Sequence, residues 1–365
     1  MPNHTKLPLE EKVDSLSEEL AINGNNVKRG DRTTINLSVA KLYTHAPIDI
    51  PVHVIRGRKK GPRVFVCAAI HGDEINGVEI IRRLLKLSVL HKIRGDLIAI
   101  PVVNVHGFIN RSRYLPDRRD LNRSFPGSET GSLAARLANI FMKEIVYQCT
   151  HGIDLHTASG HRDNLPQIRA NIDDGETEKL ARAFGVPVIL NSNVRDGSLR
   201  EAAAERKMPM LLYEAGEAFR FNEVAIRLGV KGILNVLKAL EMLPSKHLLS
   251  GKTKSRQYVA RSSSWIRAPV SGVCNIKVAL GTVVQQQGLL GSISDPLGQS
   301  EVEIKSNYEG IVISVNNLPL VNEGDAIVHI ARFGNVDAVA EQLESINEEV
   351  YPDYNPINSI IENDK

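Results

Sequence analysis

The sequence predicts an α/β domain followed by a smaller all-β domain, and three observations carry that prediction. Residues 64–70 and 97–103 are apolar runs without alternation, as expected of strands buried on both faces of a parallel sheet. The first of these runs is followed by a segment with Ile and Leu at helical spacing, residues 75–85. Beyond residue 262 the texture changes to short strands separated by Gly, Asn and Pro, which is an all-β signature.

A chain of 365 residues exceeds what one core usually serves, which agrees with two domains. With 42% hydrophobic and 24% charged residues, it has the composition of an ordinary globular protein. A net charge of +3 gives no reason to expect nucleic acid or a membrane surface as partner. The three cysteines, Cys67, Cys149 and Cys274, are odd in number and far apart, which fits buried thiols in a reducing compartment. No signal peptide is evident, and no apolar run approaches the roughly 18 residues of a membrane span. The expected location is the cytoplasm.

In order along the chain, residues 1–32 show a weak amphipathic pattern (Leu9, Val13, Leu16, Leu20) and are expected to form an N-terminal helical extension. Residues 33–55 alternate and predict edge strands leading into the sheet. The catalytic domain is expected over 33–245, with buried strands at 64–70, 96–104, 152–157, 186–190 and 208–214. Helices are expected at 75–85, 132–148, 177–184, 199–207 and 221–243. Residues 106–127 form a long loop rich in arginine (Arg111, Arg113, Arg118, Arg119, Arg123), and loops of that length in a compact α/β unit are usually functional. Residues 246–261 are polar and basic and predict a linker. The β domain spans 262–333, and an acidic tail spans 334–365. Within the β domain, Ala268-Pro269-Val270-Ser271-Gly272-Val273 is echoed by Ser306-Asn307-Tyr308-Glu309-Gly310-Ile311, which suggests a pseudo-symmetric barrel of two similar halves.

Several strands end in polar residues, where open α/β sheets place their sites. His71 and Glu74 follow the first buried strand, His156 the third, and Glu214 the last. Two His and one Glu form one of the known ligand sets of catalytic zinc, leaving a position for water. Zinc lowers the pKa of bound water to roughly 7, and a carboxylate outside the ligand set then carries the proton. His71, Glu74 and His156 are therefore candidate ligands of one zinc ion per chain, with Glu214 as general acid/base. His151 is the main rival for the third ligand, with His106 and His161 as weaker ones. Asp154 is a candidate for orienting a ligand. Gly72 fits a tight turn, and Asp73 is expected to brace an arginine rather than bind zinc.

Taken together, His71-Gly72-Asp73-Glu74, Asp120-Leu121-Asn122-Arg123, Asp154-Leu155-His156-Thr157 and Glu214-Ala215-Gly216 resemble the succinylglutamate desuccinylase/aspartoacylase family, over roughly residues 35–245. The resemblance implies a carboxypeptidase-like α/β fold with a mixed central sheet flanked by helices. It implies His71, Glu74 and His156 as zinc ligands and Glu214 as general acid/base. It further implies Asn122 and Arg123 as the pair that binds a substrate carboxylate. Arg113 stands where the family has its carbonyl-polarising arginine, with Arg118 as competitor, and Arg200 is a candidate for a second carboxylate. Residues 262–333 resemble a biotinyl/lipoyl carrier fold, a barrel-sandwich. Asp295-Pro296-Leu297-Gly298 stands where the carriers present a lysine, and Lys305 lies well past that turn, so no attachment is expected.

The expected function is thus a zinc-dependent hydrolase, a deacylase cleaving the amide of a small N-acyl amino acid that bears a carboxylate. A zinc carboxypeptidase acting on peptides is the alternative, and a binding protein with a decayed site the third. A β domain packed beside the site favours small substrates. The composition is compatible with an oligomer.

Overall fold

The most apolar runs form the centre of one large mixed sheet, because a strand without a polar face must be covered on both sides. The computed structural model describes residues 18–192, 196–244, 258–260 and 262–334. The strands are β1 (Ala21–Ile22), β2 (Asn25–Asn26), β3 (Arg32–Lys41), β4 (Pro47–Arg56), β5 (Arg63–Ala68), β6 (Asp96–Ile100), β7 (His151–Ala158), β8 (Arg162–Ala170), β9 (Val188–Asn191) and β10 (Met210–Glu217). They continue as β11 (Tyr258–Ala260), β12 (Ser262–Arg267), β13 (Gly272–Ile276), β14 (Val283–Val284), β15 (Leu289–Ser294), β16 (Glu301–Lys305), β17 (Gly310–Asn316), β18 (Leu320–Val321) and β19 (Ala326–Arg332). The helices are α1 (Asn76–Leu84), α2 (Val105–Asn110), α3 (Leu133–Glu144), α4 (Gly175–Phe184), α5 (Leu199–Glu205) and α6 (Glu223–Ala239).

Strands β6, β5, β7 and β10 lie side by side and parallel. On one flank β4 and β3 continue the sheet antiparallel, and on the other β8 runs antiparallel to β10. Alternate residues of each strand face different cores. Val64, Val66, Leu155, Leu211 and Tyr213 pack with residues of α1, α4 and α6, such as Ile80, Phe184 and Ile233. Phe65, Cys67 and Met210 pack on the opposite side with Phe141 of α3 and Leu199 of α5. Each fully buried side chain of this size contributes about 1.5–3 kcal/mol, so the sheet is held from both faces. Side-chain caps start the helices: Ser132 for α3, Asp174 for α4 and Asn222 for α6.

Both ends of the parallel strands carry charge. At the amino-terminal end, Arg63 Nε lies 2.9 Å from Asp96 Oδ2, both side chains buried, and Arg63 Nη1 donates to Gln148 O at 3.0 Å. His151 sits at the same end between Thr150 and Glu176.

The C-terminal β region is joined to this sheet by main-chain pairing. Strand β17 runs antiparallel to β8, with Ser314 opposite Asn164, Val315 opposite Asp163 and Asn316 opposite Arg162. Beyond it β19 and β12 extend the same sheet, while β16, β15, β13 and β18 form a separate antiparallel sheet. Ile266, Leu290, Ile293, Ile327 and Val328 belong to a third core in this region. Asp295 shapes the turn between β15 and β16 by accepting from the Leu297 and Ser300 N–H groups, and Lys305 lies on β16 beside Glu303.

Three expectations change. Residues 21–26, expected in a helical extension, form the β1–β2 hairpin. Asn23 and Gly24 both have positive φ there, as a two-residue Asn-Gly hairpin turn requires. Of the expected linker, residues 258–260 are β11, which pairs in parallel with β9. Strand β8 was not expected, because Arg162, Asp163, Asn164, Pro166, Gln167 and Arg169 obscure any apolar pattern. Residues 1–17, 245–257 and the tail from 335 lie outside the described residues. Among the described residues, no helix is long and apolar enough to cross a membrane.

Candidate active site

His71 and Glu74 leave the carboxyl end of β5 in a turn closed by the Glu74 N–H donating to His71 O at 3.1 Å. Glycine at position 72 has a packing reason. A Cβ there would meet the Gly107 backbone at 2.0 Å, so α2 can approach only because residue 72 has no side chain. The tight turn expected of Gly72 is thus a close approach instead. Asn104, buried at the start of α2, accepts from the Gly107 N–H and donates to Ile70 O and Arg113 O. That one side chain joins the β5 turn to the arginine-rich loop.

Glu74 joins the two imidazoles. His71 Nδ1 lies 2.7 Å from its Oε1, and His156 Nδ1 lies 2.7 Å from its Oε2. The Thr157 N–H donates to Oε2 at 3.1 Å. One ligand atom from each of His71, Glu74 and His156 lies within 4.8 Å of the others, and all three residues are buried. The outward nitrogens are braced: His71 Nε2 at 3.0 Å from Asp120 Oδ1, and His156 Nε2 at 2.8 Å from Asp154 Oδ2. A carboxylate on the far nitrogen fixes the ring and leaves the near nitrogen for a metal.

The charges follow this geometry. Burial pushes the Glu74 carboxyl up, but the charges and hydrogen bonds of His71 and His156 outweigh it and hold the group well below the usual carboxylate range. Burial pushes both imidazoles down. Glu74 and Asp120 outweigh it at His71, and Asp154 and Glu74 at His156, so both are raised.

Arg113 is the arginine that reaches this cluster. Its Nη1 lies 3.2 Å from Glu74 Oε1 and its Nη2 donates to Asp120 Oδ2 at 2.9 Å. Arg118 is exposed at a turn with positive φ, and its described contact is from its own N–H to Leu115 O. Asp120 hydrogen-bonds Arg113, and the buried Asp73, whose Oδ1 has no hydrogen-bond partner, acts on the same arginine through its charge. Asn122 Oδ1 accepts from the Leu199 N–H at 2.9 Å, placing it beside the start of α5. Arg123 is exposed and its Nη1 turns back to Asn122 O. Arg200 is buried and donates to Ser192 Oγ at 2.8 Å. None of Arg118, Arg123 and Arg200 has a described contact with the cluster. His151 lies at the opposite end of β7 from His156, His106 is on α2, and His161 lies in the turn before β8.

Glu214 stands directly opposite His156 in the parallel β10–β7 pair, so the two side chains share a face of strands that lie about 4.8 Å apart. Its Oε2 accepts from Asn164 Nδ2 at 2.8 Å and lies 3.1 Å from Arg169 Nη2. Both residues come from β8, the unexpected strand. Gln167, opposite Glu214 on β8, is fully buried with neither amide atom hydrogen-bonded.

Two imidazoles and a carboxylate turned to one point, with a further glutamate on the next strand, have the form of the His₂Glu metal sites of hydrolases. Residues 60–240 match the succinylglutamate desuccinylase/aspartoacylase catalytic domain model, and this region is a domain of that family. It is 26% identical over 292 residues to the N-alpha-acetyl-L-2,4-diaminobutyric acid deacetylase of Halomonas elongata, covering 77% of this chain and 85% of that protein. Its fold is shared with the succinylglutamate desuccinylase/aspartoacylase from Rhodobacter sphaeroides, with a TM-score of 0.77 and 24% identity, covering 87% of this chain and 98% of that one. It is also shared with the product-bound ectoine utilization protein EutE (DoeB) from Ruegeria pomeroyi, with a TM-score of 0.74 and 23% identity, covering 82% and 94%.

Proposed function

We propose that this protein is a zinc-dependent deacylase that hydrolyses the amide of a small N-acyl amino acid. The observation that carries the reading is the convergence of His71 Nδ1, Glu74 and His156 Nδ1, each imidazole braced behind by an aspartate. That donor set fits zinc, which His71, Glu74 and His156 would hold and which would supply Lewis-acid chemistry there. Glu214, on the same face as His156, accepts the proton of the attacking water and delivers it to the leaving amine. Arg113, 23% exposed and fixed by Glu74 and Asp120, stabilises the charge that develops on the scissile carbonyl oxygen. Asn122 and Arg123 are assigned to the substrate carboxylate, and Arg200, next to the Leu199 N–H that Asn122 accepts from, to a second one.

The relative from Halomonas elongata, named for removing an acetyl group from an amino acid derivative, supports an acyl amino acid as substrate. So does the placement of the C-terminal β region, joined to the sheet one strand from Glu214. A hinged domain leaving an open cleft would have favoured peptides. We read that region as a barrel-sandwich of the carrier type without the modifiable lysine. The free, buried Cys67 and Cys274 support a cytoplasmic location.

The test is a panel of N-acyl amino acids and short peptides, run with zinc and after chelation. Expected are turnover of acyl amino acids, loss on chelation and recovery with zinc. A zinc-loaded protein that hydrolyses nothing on the panel, or that prefers peptides, overturns the reading.

A further inference from the structure

We infer that Asn164 and Arg169 are positioning residues that hold Glu214 by one oxygen, so that the proton is carried on the other, Oε1. The inference rests on the reading of Glu214 as proton carrier. Both contacts fall on Oε2, and among the described residues no hydrogen bond is made to Oε1. A carboxylate fixed at one oxygen by an amide and a guanidinium keeps a single orientation. Its free oxygen then faces the reaction at no cost in reorganisation.

The local backbone is built for this contact. Opposite β10, Glu214 faces Gln167 and Gly216 faces Asn164, so three residues of β8 span what two span on β10. That bulge, at Leu165 and Pro166, reverses the alternation of β8. Without it Asn164 would point away from the face shared by Glu214, Gln167 and Arg169. The segment past the bulge is held from the other side by β17, whose Ser314 pairs with Asn164. Asn317 fastens the corner further, its N–H donating to His161 O and its Nδ2 to Glu217 Oε2. The C-terminal β region thereby sets the position of a side chain that touches the proton carrier.

The experiment compares Asn164→Ala, Asn164→Ser, Arg169→Ala and Arg169→Lys with wild type in kcat, KM, zinc content and thermal melting. Expected is a fall in kcat of about 10- to 100-fold for both alanine variants, with KM within about twofold and zinc content unchanged. The conservative variants recover part of kcat, and added guanidinium restores part of it to Arg169→Ala. Unchanged kcat in folded, zinc-loaded variants overturns the inference. A fall in kcat matched by lost zinc or melting, with no rescue by guanidinium or by lysine, also overturns it, because the pair is then only a strand-to-strand tie. Wild type without turnover on the panel removes the underlying reading instead.

Discussion

The parallel strands carry a buried charged cluster at each end, made of similar residue types but arranged differently. At the amino-terminal end opposite charges face one another in ion pairs: Arg63 spans Asp96 and Gln148, and Arg56 Nε lies 3.7 Å from Asp96 Oδ1, beyond hydrogen-bond distance. At the carboxyl end, His71, Glu74 and His156 turn ligand atoms toward one another, and their other polar atoms are held from behind. The first arrangement neutralises charge and locks strands. The second gathers two imidazole nitrogens and a carboxylate oxygen around one point. Burial is nearly equal in the two clusters, so geometry rather than depth separates a structural ion pair from a candidate metal centre.

This contrast can be broken at either end. The largest effect is expected from His156→Ala, which should lose bound zinc, and with it nearly all turnover, while remaining folded; elemental analysis alongside circular dichroism checks it. Zinc content equal to wild type would remove His156 from the ligand set. Arg63→Ala should do the opposite. It leaves Asp96 buried without its closest partner, at a cost of about 3–5 kcal/mol read from denaturant unfolding, while zinc per folded chain stays at the wild-type level. Asp154→Asn tests the brace behind His156: zinc affinity should fall about 10- to 100-fold in a chelator competition, with little change in melting of the metal-free protein.

The smallest effect concerns the seam between β8 and β17. Burial, and then the charge of Glu217, push the Asp163 carboxyl up to about 6, and its Oδ1 has no partner. A carboxyl raised on folding favours the protonated native state. The ionised form is therefore penalised, and stability falls as pH rises from about 4 through 6. Asp163→Asn should stabilise the protein at pH 7 by about 1 kcal/mol, allowing for the partial exposure of the group, and by nothing near pH 4. Equal melting shifts at both pH values would show that Asp163 is not the cause.

The strands that carry the candidate ligands were legible because each is a short apolar run ending in polar residues, a pattern local to a few positions. His71, Glu74, His156 and Glu214 stand out for that reason. The choice between Arg113 and Arg118 was not legible, since both lie in one irregular loop and spacing does not say which turns inward. Asp120 and Asn104 make that choice by contacts across the loop. Strand β8 escaped altogether, because one side of it serves a polar site and its bulge breaks the period of two. The hairpin at Asn23-Gly24 was overlooked although its turn residues are diagnostic, the weak amphipathic pattern before it having favoured a helix.

What the sequence determined by itself is therefore the set of donors and the ends of the strands that present them, since hydrophobic periodicity and chain reversal are short-range properties. The tertiary structure decided the register that sets Glu214 opposite His156 and the brace of Asp120 behind His71. It also decided the addition of β17 to β8, which brings the C-terminal region to within one side chain of Glu214. Those are contacts between residues tens to more than a hundred positions apart. Strand pairing is set by the fit of whole faces to two cores, and no local pattern encodes it.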